Sequence, residues 1–239
     1  MAQKVRDLAV PPACLCCGSI VAEQGGLCTH CWRQVHFIDQ PYCEILGTPF
    51  PHGHGDGAIS PEAIADPPPF DRLRSAVRYD DLPRQLVSGL KFSDRPELAR
   101  WMAGWMTRAG HDLIAQCCVV LPVPLHWQRL HARRFNQSAE LARWLAHACG
   151  KEYLPTALVR TRPTRQQIGL SGSERLRNVQ GAFRVPAEWQ PAVEGRRVLL
   201  IDDVYTTGAT VKACSRALRR AHVSGIDVLT FARAGSMDI

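Results

Sequence analysis

The chain has 239 residues, of which 46% are hydrophobic and 21% are charged, a composition typical of a globular protein with one large domain and a small appendage. No apolar run approaches the ~20 residues of a membrane-spanning helix. Residues 1–17 lack the apolar core of a secretory signal, so the sequence predicts a cytoplasmic protein with no membrane insertion. The net charge of +7 favours anionic partners, such as nucleic acid or phosphorylated metabolites, without distinguishing between them.

The first predicted element is a cysteine-rich segment, residues 11–46, which holds six of the ten cysteines. Two Cys-x-x-Cys pairs lie here with ten residues between them, and each pair can place two thiolates on one tight turn. Together they predict a tetrahedral zinc site of structural type, because four thiolates leave no open coordination position. Cys16 lies within the first pair and could shift the register of the ligands. The predicted ligands are Cys14, Cys17, Cys28 and Cys31.

The rest of the chain divides into a linker and a large domain. Residues 47–70 are rich in glycine and proline, which predicts a linker or an exposed loop. In residues 71–239, apolar runs of strand length alternate with segments of helical periodicity, which predicts an α/β domain. A stripe of tryptophan and methionine in the second helix is expected to lie in the core rather than to stack on nucleic-acid bases. The predicted strands are 75–79, 119–123, 198–201 and 226–231, and residues 82–92 are predicted to be a helix or a turn-rich segment. The other predicted helices are one with Asp94 as its N-cap that ends at Gly110, one that ends at Gly150, and 210–221.

Residues 198–211, VLLIDDVYTTGATV, are the most informative segment of the chain. An apolar strand is followed by two carboxylates, and a short loop of glycine and small hydroxyl residues then leads into a helix. Ligands of open parallel sheets bind at the carboxyl ends of strands, and backbone N–H groups at a helix N-terminus favour a phosphate dianion. Because carboxylates repel phosphate, Asp202 and Asp203 should face a neutral hydrogen-bond donor, such as two adjacent ribose hydroxyls. The segment predicts a site for a ribose 5-phosphate group.

This segment resembles the phosphoribosyl-pyrophosphate motif of type I phosphoribosyltransferases, an apolar strand followed by Asp-Asp and Thr-Thr-Gly-x-Thr. The resemblance implies that Asp202 and Asp203 bind the 2′ and 3′ hydroxyls of the ribose. It also implies that the loop after them wraps the 5-phosphate. The residues of this loop are Thr206, Thr207, Gly208, Ala209 and Thr210.

Two further segments are rich in arginine, residues 121–137 and 160–183. Basic segments of this kind are often only solvated surface. Because these two segments are expected to flank the phosphate site, contact with diphosphate or nucleic acid is as strongly indicated as a role as solvated surface.

Four strings together resemble the ComF family, which includes the competence proteins ComF and ComFC and the GntX-like proteins. The strings are LKFSDRPELA, PVPLHWQRLHARRFNQSAELA, RQQIGLSGSERLRNVQGAF and VLLIDDVYTTGAT, in that order. The family is similar to type I phosphoribosyltransferases, carries an N-terminal zinc ribbon, and is associated with uptake of single-stranded DNA in natural transformation. The resemblance implies a Rossmann-like type I phosphoribosyltransferase domain with a central parallel sheet, plus a small zinc ribbon.

The family resemblance implies roles for further residues. The arginine-rich segment 166–178 would be a mobile loop over the site, and Mg²⁺ would be bound through the diphosphate of phosphoribosyl pyrophosphate. Arg134 stands where the family usually has glycine, which would ease the backbone turn. The diphosphate-binding loop would comprise Pro122, Val123, Pro124 and Leu125. If transfer occurs, the catalytic residues would be Asp202, Asp203 and Arg133.

A second zinc site is expected to be lost or incomplete. Family members often carry another cysteine pair, but here Cys43 has Leu46 at the position of its partner. His52 and His54 could replace the missing ligands, although loop histidines are more often free.

Three functions are compatible with these features. The first is a phosphoribosyl-binding protein that assists uptake of single-stranded DNA together with DNA-uptake proteins. The second is an active phosphoribosyltransferase that acts on an unidentified base or amine. The third is a structural module that only binds partners.

Overall fold

The computed structural model describes residues 11–23, 25–50, 55, 57–92, 95, 97–126, 135–162 and 172–235. The described chain alternates strands and helices from residue 72 onward, as the sequence predicts for an α/β domain. The strands are β1 (Arg72–Arg78), β2 (Val119–Pro122), β3 (Glu152–Tyr153), β4 (Val159–Arg160), β5 (Phe183–Arg184), β6 (Arg197–Tyr205) and β7 (Gly225–Arg233). The helices are α1 (Thr29–Trp32), α2 (Pro61–Ala65), α3 (Asp81–Phe92), α4 (Glu97–Ala109), α5 (His111–Gln116), α6 (Gln137–Cys149), α7 (Gly172–Val179), α8 (Gln190–Val193) and α9 (Ala209–Arg220).

Five strands form one parallel sheet in the order β1-β7-β6-β2-β3. Strand β6 lies in the centre, and residues 198–201 are fully buried because helices cover both faces. Strands β4 and β5 form a separate antiparallel pair. The prediction of an α/β fold with a central parallel sheet is confirmed.

Apolar helix faces build a core on each side of the sheet. On one side, α4 packs against β1 and β7, α6 packs against β2 and β6, and α3 packs against α4, with Met102 and Met106 buried in the same core cluster. On the other side, α9 buries Val211, Cys214 and Leu218 against the opposite face of the same strands. Helix α6 ends as predicted at Gly150, which takes a left-handed conformation at φ +62°.

The N-terminal segment covers the edge of the sheet at β1. Phe37 pairs with Val77 in an antiparallel bridge, Ile38 N–H donates to the Ala76 carbonyl, and Arg78 N–H donates to the His36 carbonyl. These bonds satisfy backbone groups that an open edge strand would expose. The cysteine-rich segment is therefore joined to the large sheet by main-chain hydrogen bonds.

Two sequence predictions differ in detail from the structure. Strand β6 continues through the two aspartates to Tyr205, because its neighbour β7 is long enough to pair Tyr205 with Arg233. The stripe of α4 is only partly core, since Trp101 and Trp105 are half-buried beside the buried methionines. Asp94, the predicted N-cap of α4, lies outside the described residues. Within the described part of the chain, no helix has the length and apolar character needed to cross a membrane.

Candidate functional site

The two aspartates lie next to each other at the carboxyl end of the central strand β6. Asp203 is buried and Asp202 is half-buried. The Asp202 carboxylate accepts hydrogen bonds at Oδ1 from the Ser138 hydroxyl at 2.9 Å and from the Asp203 backbone N–H at 3.0 Å. Ser138 belongs to the first turn of α6, so the start of this helix fixes the orientation of the acidic pair.

The Asp202 carboxyl holds its proton to an unusually high pH. Burial and, to a lesser extent, the adjacent Asp203 carboxylate raise its pKa to about 7. Hydrogen bonds from Ser138 and from the Asp203 N–H, together with the charge of Lys91, act in the opposite direction. The pair therefore changes its charge near neutral pH, which is typical of functional sites.

Lys91 contacts the acidic pair from helix α3. Its Nζ lies 2.5 Å from Asp203 Oδ2, and the side chains of Lys91 and Asp203 are only 21% and 13% exposed. Burial alone would lower the pKa of Lys91, but the charges of Asp203 and Asp202 outweigh burial and raise the pKa. Lys91 is therefore a protonated cation in contact with the acidic pair.

The loop after β6 leads directly into the N-terminus of α9. Thr206 and Thr207 are exposed, whereas Gly208 and Ala209 are buried and Thr210 is half-buried. Gly208 is the N-cap at φ +71° and contributes no side-chain cap, and a Cβ there would lie 2.5 Å from the Tyr205 hydroxyl oxygen. Only glycine fits this turn, which aims the N-terminal backbone of a 12-residue helix towards the two exposed threonines.

The predicted diphosphate loop lies beside the acidic pair. Pro122 is paired with Ile201 in the sheet, and the Val123 N–H donates to the Ile201 carbonyl at 2.8 Å. The Val123 carbonyl accepts from Asn136 Nδ2 at 3.0 Å, and Asn136 also caps α6. Pro124 is buried and Leu125 is half-buried. The structure thus brings residues 122–125, the acidic pair and the start of α6 to one edge of the sheet.

Several predicted site residues fall outside the described part of the chain. These are Arg133 and Arg134, together with residues 163–171 of the arginine-rich segment. Residues 160–162 and 172–183 of that segment are described, and the second of these parts begins with α7, Gly172–Val179, a helix that contacts α9.

The four predicted zinc ligands converge. The Sγ atoms of Cys14, Cys17, Cys28 and Cys31 all lie within 4.8 Å of one another. A tetrahedral zinc with bonds of about 2.3 Å separates its thiolates by about 3.8 Å, and the Cys17 and Cys28 sulfurs are 3.6 Å apart. The sulfur positions therefore fit a structural zinc ion, which these four residues would hold.

Hydrogen bonds favour thiolates in this cluster. The Cys28 backbone N–H donates to Cys14 Sγ at 3.3 Å. Hydrogen bonds from Ser19 lower the pKa of Cys17 to about 6. Burial and the neighbouring sulfurs raise the pKa of Cys31. Because Cys31 is almost fully buried, a metal ion is the partner that suits its thiolate.

The two other cysteines of the N-terminal segment have separate environments. Cys16 does not belong to the cluster and donates from its thiol to Gln85 Oε1 at 2.9 Å, which removes the ambiguity of register. Cys43 is fully buried, and its sulfur accepts from the backbone N–H groups of Leu46 at 3.3 Å and Ser60 at 3.2 Å. Among the described residues, Cys43 takes part in no metal-binding cluster, and His52 and His54 lie outside them.

Sequence reasoning missed Lys91 and Ser138 as neighbours of the acidic pair, and Asn136 as the residue that donates to the Val123 carbonyl. All three lie in strings that carry the family resemblance, but no local pattern marks them as site residues. Their positions become apparent only when α3 and α6 pack on the sheet.

Solved structures with a similar fold include the allosteric regulatory enzyme of purine biosynthesis, at 22% identity and a TM-score of 0.39. That match covers 60% of this chain and 29% of the other, so this chain spans less than a third of that protein. Orotate phosphoribosyltransferase from Aeropyrum pernix matches at 18% identity with a TM-score of 0.33, over 66% of this chain and 80% of the other.

Relatives by sequence cover nearly the whole chain. A family model described as a double zinc ribbon domain matches residues 5–62. Competence protein F of Haemophilus influenzae is 28% identical over 92% of this chain and 95% of that protein. Competence protein ComFC of Bacillus subtilis is 24% identical over 80% of this chain and 77% of that protein. DNA utilization protein YhgH of Escherichia coli is 33% identical over 95% of this chain and 99% of that protein. The chain therefore belongs to the family of YhgH and the competence proteins, the ComF family that its motifs predict.

Proposed function

We propose that this protein binds phosphoribosyl pyrophosphate at the carboxyl end of β6 and takes part in handling single-stranded DNA. One observation supports the binding of phosphoribosyl pyrophosphate above all others. The acidic pair, the threonine loop and the N-terminus of α9 follow one another directly at the carboxyl end of the central strand β6. Hydroxyl groups suit the carboxylates, and a phosphate dianion suits the helix N-terminus.

Each part of the site has a proposed role. Asp202 and Asp203 accept hydrogen bonds from the ribose hydroxyls, and residues 206–210 bind the 5-phosphate. Residues 122–125 bind the diphosphate, whose Mg²⁺ arrives with the ligand and has few direct protein ligands. Arg133 and the segment 166–178 neutralise the charge of the diphosphate.

The part played by DNA rests on the family. The relatives are named as a DNA utilization protein and as competence proteins. The net charge of +7 suits a polyanionic partner. We divide the chain accordingly into a zinc-ribbon module at 11–46, a linker at 47–70 and the ligand-binding domain at 71–239.

Calorimetric titration with phosphoribosyl pyrophosphate and Mg²⁺ tests the ligand. The unmodified protein should bind, and Asp202→Asn/Asp203→Asn should weaken binding by about 100-fold, because two charged acceptors for the ribose are lost. The matched control is Glu188→Gln/Glu194→Gln, which removes two exposed carboxylates elsewhere and should bind normally. Equal affinity of the acidic-pair variant would refute the site. Diphosphate release in the same samples tests the alternative, phosphoribosyl transfer to an acceptor.

Fluorescence anisotropy of a labelled single-stranded oligonucleotide tests the second part. Affinity should fall linearly with salt on a double logarithmic plot, since phosphate contacts release counterions. Failure to bind at low salt, where this effect is strongest, would contradict a direct role in handling DNA.

A further inference from the structure

Lys91 reaches the proposed ribose subsite from an unexpected direction. The acidic pair lies near the carboxyl end of β6, and the threonine loop and the diphosphate loop lie at the carboxyl ends of β6 and β2, whereas Lys91 lies in the last turn of α3. Its ammonium is nevertheless in direct contact with Asp203 Oδ2. Within the described parts of the chain, it is the only Lys or Arg in an ion pair with either aspartate of the pair.

The packing of α3 holds Lys91 in this position. Leu90, directly before it, is fully buried, and Leu86 and Val87 lie in the same core cluster as Cys14 and Cys31 of the zinc ribbon. Near the middle of α3, Gln85 accepts the hydrogen bond from the Cys16 thiol. The helix is thus held between the ribbon and the sheet, so Lys91 has little freedom to leave Asp203.

The charges of the site require such a cation. Two adjacent carboxylates repel each other, and they also repel the 5-phosphate that should bind a few residues further along the chain. One ammonium group offsets one of the two carboxylate charges. A carboxylate has about four lone-pair sites, so Asp203 can bind Lys91 and still accept a hydrogen bond from a ribose hydroxyl.

We infer that Lys91 is a positioning residue of the ribose subsite, which holds the Asp203 carboxylate in the orientation that accepts the ribose hydroxyls. The inference rests on the proposed function, since it assigns Lys91 to the same ligand. If Lys91 instead bound the diphosphate directly, its loss would weaken the binding of every diphosphate ligand. If its ion pair were purely structural, its loss would not distinguish ligands with a ribose from ligands without one.

Two probes separate these possibilities, phosphoribosyl pyrophosphate and inorganic diphosphate, each titrated with Mg²⁺ into the full-length zinc-loaded protein. Lys91→Met should weaken binding of phosphoribosyl pyrophosphate by at least about tenfold, because the partner of a buried charge is removed. Binding of inorganic diphosphate, which has no ribose, should change less than about twofold. Lys91→Arg keeps the charge and should have an affinity between those of Lys91→Met and the unmodified protein.

The control variant is Lys151→Met, which removes another partly buried lysine. Lys151 donates to the Cys117 carbonyl before the start of β2, at the opposite edge of the sheet, and its loss should change neither affinity. Equal loss of both ligands in Lys91→Met, or no loss of either, would overturn the role in the ribose subsite. Absence of phosphoribosyl pyrophosphate binding in the unmodified protein would overturn the proposed function and this inference together.

Discussion

Replacing Cys31 with serine is expected to release the zinc ion and to lower the melting temperature by about 10 °C or more. Cys31 is 3% exposed and lies in the same core cluster as Leu86 and Leu98 of helices α3 and α4. Loss of the metal would leave the buried Cys14 thiol without a partner and would loosen the zinc ribbon from α3 and α4. The effect should be large because the ribbon covers part of the main core rather than standing apart from it.

Zinc content by mass spectrometry and thermal unfolding check this expectation. The matched control is Cys16→Ser. Cys16 directly precedes the ligand Cys17, but it is hydrogen-bonded to Gln85 and lies outside the cluster of four cysteines. It should retain one zinc per chain and a nearly unchanged melting temperature. Full zinc content in Cys31→Ser would show that the cluster of four sulfurs is not the metal site.

Asp202→Asn is expected to stabilise the fold at pH 8 while weakening the binding of the ligand. The Asp202 pKa is about 7 in the folded protein, compared with its usual value of 3.8. Between these values the folded state binds more protons than the unfolded state, so this group lowers the free energy of unfolding as pH rises from about 4 to 7. Asparagine can accept the same two hydrogen bonds without a charge beside Asp203 and avoids this loss.

Denaturant unfolding at pH 5 and pH 8 measures the effect. The stability gain of the variant over the unmodified protein should be larger at pH 8 than at pH 5, by about 1 kcal/mol or more in the free energy of unfolding. Lys91 and Asp203 face the same carboxyl and remain in the variant. Asp81→Asn, which changes a carboxyl that is 92% exposed, should show no such difference between the two pH values. A variant that is less stable than the unmodified protein at pH 8 would contradict a raised Asp202 pKa.

Local signals in the sequence predict part of this site well. The acidic pair, Gly208 and the start of α9 are consecutive, so strand, turn and helix signals reinforce one another within one short segment. The same holds for the two Cys-x-x-Cys pairs, since each pair needs only one tight turn. The predicted α/β sheet likewise follows from continuous apolar strands such as residues 198–201.

Features that depend on packing between distant segments could not be predicted in this way. Ser138 and Asp202 are 64 residues apart, and neither carries a local pattern that points to the other. Lys91 occupies the end of an amphipathic helix, where a lysine ordinarily only faces solvent. The pairing of residues 36–38 with β1 depends on the edge of a finished sheet and has no signal in either segment alone.

The most direct test of the proposed site is a crystal structure of the protein with phosphoribosyl pyrophosphate and Mg²⁺. The ribose hydroxyls should lie within hydrogen-bond distance of Asp202 and Asp203, with Lys91 still in contact with Asp203. The 5-phosphate should lie against the backbone of residues 206–210. A ligand bound elsewhere, or one whose ribose faces away from the acidic pair, would contradict the assignment of this loop.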